Sequence, residues 1–133
     1  MAFAFTLTDI IPAKPEDIYS AWLDARGHSD MTGSPAEALP VEGAAFTAWD
    51  GYISGRNLKL EPTRRIVQSW RTTRFAPDDP DSQIEVLLEP HREGTKLTLV
   101  HSNVPDGHES HREGWRDYYF EPMKLYFVSQ LKA

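Results

Sequence analysis

Hydrophobic and polar residues alternate from Phe3 to Ile11, with Phe3, Phe5 and Leu7 on one side and Ala4, Thr6 and Thr8 on the other. This two-residue period predicts a half-buried strand that Pro12 ends. Pro15 at a first helical position, followed by Glu16 and Asp17, opens a helix whose apolar residues are Ile18, Tyr19, Trp22 and Leu23, and Gly27 after Arg26 is read as its end. Residues 28 to 40 contain Gly33, Pro35 and Pro40 without a clear period and are expected to form a loop, a candidate lid, with one short helical turn near Pro35 to Leu39. Alternation then returns in five stretches: Ala44 to Trp49, Tyr52 to Glu61, Ile66 to Phe75, Gln83 to Glu89 and Lys96 to Asn103. Asp50-Gly51, Pro62-Thr63-Arg64 and Arg92-Glu93-Gly94 are turn signals between neighbours, so these strands are expected to pair antiparallel.

From Asp106 to Leu131 the period changes to that of a helix. Asp106 and Glu109 form an Asp-x-x-Glu variant of the capping box, and Trp115, Tyr118, Tyr119, Pro122 and Tyr126 recur at spacings of three and four. Such a helix would run ~35 to 40 Å and needs a sheet to lie across. Gly114 weakens it, and Pro122 lacks the amide that would bond the Tyr118 carbonyl, so a kink is expected there. One strand, one helix, a loop, five strands and a long C-terminal helix make an α+β domain. It is read as a six-stranded antiparallel sheet under one helix, occupying residues 1 to 133 as a single domain.

The net charge of −6 argues against general binding to nucleic acid or to an anionic membrane, since phosphate would be repelled on average. The charge is uneven: Arg56, Lys59, Arg64, Arg65, Arg71 and Arg74 face the single acid Glu61 in this stretch, either as an anion-attracting stripe or as solvated strand edges that block pairing. There is no cysteine, which excludes disulfides and thiolate chemistry. No apolar run approaches a membrane span, and the N-terminus lacks the pattern of a signal sequence, so a cytoplasmic location is expected.

Several segments together resemble one family. They are Pro15-Glu16-Asp17-Ile18-Tyr19-Ser20-Ala21-Trp22, Asp50-Gly51 with Gly55, Glu61-Pro62-x-x-Arg65-Ile66-Val67-x-x-Trp70, Gly94-Thr95-x-Leu97-Thr98-Leu99-x-His101, and His111-x-x-Gly114-Trp115. The pattern is similar to the activators of heat-shock-protein-90 ATPase and their homologues, within the START-like, or polyketide-cyclase-like (SRPBCC), superfamily. The resemblance covers nearly the whole chain. It implies a helix-grip fold, a curved six-stranded sheet holding the C-terminal helix around a cavity. It also implies a domain of the C-terminal type, without the separate N-terminal domain that does much of the stimulation in the eukaryotic co-chaperone.

Leu97, Leu99 and His101 share one strand face and Ile66, Gln68 and Trp70 another; if both look inward, His101 and Gln68 are polar groups in an aromatic surround. The residues expected to line a ligand cavity are Trp22, Phe46, Gln68, Trp70, Leu99, His101, Trp115, Tyr118, Tyr119 and Tyr126. Each also has a plain structural reading, aromatic core packing for the rings and a satisfied buried histidine for His101. His101, His108 and His111 invite a metal reading, but no zinc motif surrounds them, and neither a Gly-x-Ser-x-Gly elbow nor a phosphate loop occurs. No catalytic residue, metal or cofactor is assigned. Three functions follow in order: binding of a hydrophobic or amphipathic small molecule or lipid under the helix, association with a chaperone through an exposed surface, and small-molecule cyclase or hydrolase chemistry with His101 as acid or base beside a hydroxyl of Tyr118 or Tyr119.

Overall fold

A computed structural model describes residues 3–108 and 110–131. Strand β1 (Phe3–Ile11) has the expected bounds, and α1 (Pro15–Trp22) starts with Pro15 and two acids in its first turn. The next element departs from the sequence reading. Asp24 caps a second helix, α2 (Ala25–Thr32), by accepting a hydrogen bond from the Gly27 amide at 2.8 Å, and Gly33 closes it in the left-handed region with φ 83°. Gly27 therefore does not end α1. A Cβ there would stand 2.8 Å from the Ala21 Cα, so this glycine lets two short helices approach. The expected loop begins only at Gly33, and in place of a helical turn near Pro35 to Leu39 the backbone of Glu37 bridges to Thr47.

Strands β2 (Ala45–Ala48), β3 (Ile53–Glu61), β4 (Arg65–Thr72), β5 (Ser82–His91) and β6 (Gly94–Val104) follow. All pairs are antiparallel in the spatial order β1-β6-β5-β4-β3-β2, so each consecutive pair from β2 to β6 is adjacent and β1 closes beside β6. Register shifts between Phe3 and Phe5 and between Asn57 and Lys59 break the ladder near both edges, the usual means of curving a sheet. The inner face collects Phe5, Leu7, Ile66, Trp70, Ile84, Val86, Leu97 and Leu99, all buried. Helix α1 rests on β5, and α2 reaches the C-terminal helical segment.

That segment comprises α3 (His111–Trp115), a π turn (Arg116–Phe120) and α4 (Glu121–Leu131). It starts later than expected, and Glu109 of the proposed capping box lies outside the described residues. Its packed face also differs. Trp115, Tyr119, Phe120, Met123 and Phe127 are buried, whereas Tyr118 is 58% exposed and Tyr126 only partly covered. Buried residues recur at 115, 119, 123 and 127, and in a regular α-helix each four-residue step overshoots one turn by about 40°. Three such steps accumulate roughly one residue of excess rotation, which a π turn absorbs. The amide of Glu121 bonds the carbonyl of Arg116, five residues back, and Pro122 follows with no amide to place. The irregularity expected as a proline kink is thus a widened turn just before the proline.

Candidate functional site

Under the C-terminal segment the space expected to hold a cavity is occupied by rings. Trp115 lies 4.8 Å from Trp70, 4.7 Å from Tyr119 and 6.2 Å from Trp22 between ring centroids, and Trp22 lies 5.2 Å from Tyr119. Phe46 packs on Trp70 at 5.7 Å, and Leu99 is fully buried.

The polar groups within this layer are matched atom for atom. Trp115 Nε1–H donates to His101 Nδ1 at 3.0 Å, which leaves His101 Nε2 to carry the proton and donate to Ser82 Oγ at 2.8 Å. Ser82 in turn donates to the Trp70 carbonyl at 2.6 Å. Burial, and secondarily the nearby His111, pushes the His101 pKa down to about 3, so the ring is neutral at pH 7 with both nitrogens engaged. The acid or base role considered for His101 has no free nitrogen to use. A second chain runs from Trp22 Nε1–H to Gln68 Oε1 at 3.0 Å, from Gln68 Nε2 to Asn57 Oδ1 at 2.9 Å, and from Asn57 Nδ2 to the Leu39 and Val41 carbonyls at 2.8 and 3.0 Å. It pins the 33–44 loop to the sheet.

A third set was not foreseen. His28 Nδ1 bonds the Trp22 carbonyl at 2.9 Å, so its Nε2 accepts from the Tyr119 hydroxyl at 2.8 Å. Burial lowers the His28 pKa and raises that of Tyr119. The sequence signal for His28 was the Asp24 cap, which places residue 28 inside a helix rather than a loop.

Open volume appears at one end of the ring layer, where the β2–β3 turn and the ends of β3 and β4 face α3 and the π turn. It is a groove of about 570 Å³ whose walls include Trp49, Tyr52, Trp70, Thr72 and Arg74 on the sheet side and His111, Glu113, Gly114, Trp115, Asp117, Tyr118 and Tyr119 on the helix side. Of the ten residues expected to line a cavity, Trp70, Trp115, Tyr118 and Tyr119 border this groove. Trp22, Phe46, Gln68, Leu99 and His101 lie in the packed interior, and Tyr126 packs against Phe127 at 5.0 Å further along the helix. Trp49, Tyr52, Arg74, Glu113 and Asp117 were outside that set. Their shared position depends on the turn and the π segment, which strand and helix periods do not encode.

Local rules are broken at the groove. Trp49 and Asp50 adopt φ of 52° and 56°, the left-handed region that bulky residues avoid. The Trp49 indole N–H is the one buried side-chain donor without a partner among the described residues. Its ring meets Tyr118 edge-on at 5.4 Å and 78°, forming a corner. Opposite, Gly114 opens onto space: an added Cβ would find only Tyr118 Cδ2, at 3.9 Å.

The three histidines considered as metal ligands do gather, with His101 and His108 at 5.5 and 6.0 Å from His111 between ring centroids. His101 is fully bonded and His111 Nδ1 donates to the His108 carbonyl at 2.9 Å. Among the described residues no group of three or more His, Asp or Glu side chains is arranged to hold a metal ion, and no helix is long and apolar enough to cross a membrane. The basic stretch is largely neutralised: Arg64 and Arg65 both pair with Glu61, Arg65 also with Glu85, and Arg71 with Asp81.

Comparison with known proteins agrees with this architecture. Residues 12–127 match the family described as "Activator of Hsp90 ATPase homolog 1-like protein". The human activator of 90 kDa heat shock protein ATPase homolog 1 is 28% identical over 123 residues, 92% of this chain and 36% of that protein. An uncharacterized protein of Schizosaccharomyces pombe is 28% identical over 116 residues, 86% of this chain and 34% of its own length. The chain thus spans about a third of the length of these relatives. Among solved structures, an HSP90 activator from Plasmodium falciparum superposes with a TM-score of 0.79 at 24% identity over 94% of both chains. A Mesorhizobium loti protein superposes with a TM-score of 0.81 at 19% identity, over 96% of this chain and 98% of that one. These two likenesses establish the curved-sheet helix-grip fold, and the match over residues 12–127 places the chain in the Hsp90 ATPase activator homolog 1-like family.

Proposed function

We propose that this domain binds a small molecule with a flat apolar body in the groove between the β2–β3 turn and the C-terminal helical segment. The observation that carries this reading is the contrast in filling: the ring layer is packed beneath the helix but gives way to about 570 Å³ of open space bordered by six aromatic side chains. Apolar concavities of that size with a few polar groups are the usual form of a ligand site. Gly114 adds to it, since a glycine inside a helix costs about 1 kcal/mol relative to alanine yet meets no neighbour that requires it. Its use is to leave the helix backbone open to close approach.

The test is a titration of the protein with a panel of aromatic and lipid-like compounds, followed through the indole N–H resonances of its four tryptophans. Binding in the groove should move the Trp49 signal most while leaving that of Trp22, which is bonded in the interior away from the groove, nearly unchanged. Compounds that move all signals together, or none, would count against the groove.

A second reading rests on family membership, since relatives named as activators of the Hsp90 ATPase share this domain. It requires an outward surface on which a chaperone docks. Pull-down of the host chaperone by the unmodified protein, compared with an Arg64→Glu, Arg65→Glu variant, addresses it. Failure of the unmodified protein to bind would remove this reading and leave the first intact.

A further inference from the structure

The groove combines aromatic walls with an unbalanced rim. Glu113 and Asp117 stand four residues apart along the helical segment, both border the groove and both are exposed. Like charges at this spacing oppose the helix. Neither carboxylate has an ion-pair partner among the described residues, in contrast to Glu121 one turn on, which bonds Lys124 at 2.7 Å. The neighbouring cations do not compensate: Arg112 is drawn across the Phe5 ring at 5.6 Å, and Arg116 does not border the groove. On the sheet side Arg74 is the one cation. His111, also on the wall, is partly buried and its pKa lies below the ordinary histidine value, chiefly through desolvation, so it adds no charge at neutral pH. The rim is thus net negative, within a chain of net charge −6.

The rings supply the second half. Tyr52 and Tyr118 are both exposed and Trp49 forms a corner with Tyr118, so π-electron surface is available to a guest. Aromatic faces attract cations, Trp and Tyr most strongly, and a concave site with low-dielectric walls concentrates the field of its rim charges.

We infer that the groove selects organic cations, a quaternary or aryl ammonium on an apolar body, held by the Trp49, Tyr52 and Tyr118 rings and faced by the Glu113 and Asp117 carboxylates. The inference rests on the ligand-binding reading of this groove and names the ligand class. Arg74, on the opposite side, opposes it and makes an anionic ligand the competing outcome.

Three probes with the same ring and different charge separate these cases: benzyltrimethylammonium, benzyl alcohol and phenylacetate, each titrated into the full chain at low salt with the Trp49 indole resonance as readout. The cation should bind on the order of fivefold more tightly than the alcohol, and phenylacetate more weakly than either. The advantage should shrink on raising ionic strength from 0.01 to about 0.5 M, because the carboxylates are exposed and screened. Glu113→Gln with Asp117→Asn should abolish the cation's advantage and leave the alcohol's affinity unchanged, a pattern that a folding defect would not give. Tightest binding by phenylacetate would overturn the inference in favour of an Arg74-directed anion site. Equal affinity for all three would overturn the charge preference while leaving the groove as a binding site. Failure of every probe to move the Trp49 resonance would overturn both.

Discussion

Around His101 each ring nitrogen has a partner: Trp115 donates to one, Ser82 accepts from the other, and the same holds for His28 between Trp22 and Tyr119. At the groove Trp49 carries a buried donor with no acceptor among the described residues, Tyr118 stands 58% exposed, and Glu113 and Asp117 are exposed on the rim. The two regions share one aromatic layer and several residues, so composition does not distinguish them. What differs is satisfaction. Unmatched buried polar groups cost free energy, and a fold that matches such groups beneath its helix but leaves the Trp49 donor unmatched at one end, beside exposed rings and carboxylates, has that end organised around something other than stability.

Replacing Trp115 by Ala should have the largest effect, because it removes the central ring of the packed layer and strips His101 Nδ1 of its donor. A loss of about 3 to 5 kcal/mol is expected for a buried aromatic truncated to alanine, read as a fall in the urea midpoint. Tyr118→Ala, on the groove side of the same segment, should cost less than about 1 kcal/mol. Equal losses would erase the distinction between packed and open ends.

Acid should act on the packed side next. His101 is held at about 3 in the folded protein against an ordinary 6.5, so between these values the unfolded chain binds a proton that the folded chain refuses. Stability is therefore complete above roughly pH 6.5 and declines as pH falls toward 3, with His28 displaced in the same direction. By pH 3 the loss from His101 alone should be of the same order as that of Trp115→Ala, up to about 5 kcal/mol, since one pKa unit corresponds to about 1.4 kcal/mol. Histidine resonances followed by NMR should show His101 untitrated down to pH 5. A transition near 6.5 for His101 would mean that the layer admits water and is not sealed.

The sheet was legible because each strand obeys a period of two and each hairpin carries its own turn residues; β1 came out with its bounds unchanged, and Asp50-Gly51 sits in the β2–β3 turn as expected. The inward placement of His101, Gln68 and Trp70 followed from the same alternation. Helix α2 was missed because Gly27 has two physical uses, ending a helix or letting two helices touch, and only the packing of Ala21 against it decides. The C-terminal face was misassigned for a related reason. Spacings of three and four fit Tyr118 and Tyr126 as well as Met123 and Phe127, and the π turn that selects the second set is a tertiary compromise. The groove was illegible since its walls come from a turn, two strand ends and that irregular helix, elements brought together only by the fold.

Pro122→Ala examines the junction between the two regions. The restored amide permits a regular α-helix, but converting the π turn would rotate Trp115 and Tyr119 by about 100° relative to Met123 and Phe127, and both pairs are buried. The π turn should persist, with stability changed by no more than about 1 to 2 kcal/mol. Amide exchange and a structure of the variant would reveal a regular helix if packing did not dominate.

The smallest effect expected on folding is also the most discriminating. Gly114→Ala places a methyl group in open space, 3.9 Å from the nearest atom of Tyr118, so no strain opposes it. Alanine is favoured over glycine within a helix by about 1 kcal/mol, partly through the unfolded state, and the variant should melt higher by a few degrees. If the ring layer alone determined this position, the variant would be an improvement without penalty. If the open backbone serves a ligand, the same methyl group narrows the groove floor and should weaken binding of the preferred probe severalfold while stability rises. Opposite signs in the two measurements would mark Gly114 as kept for the groove; a stabilised variant with undiminished binding would return the glycine, and that side of the groove, to structure alone.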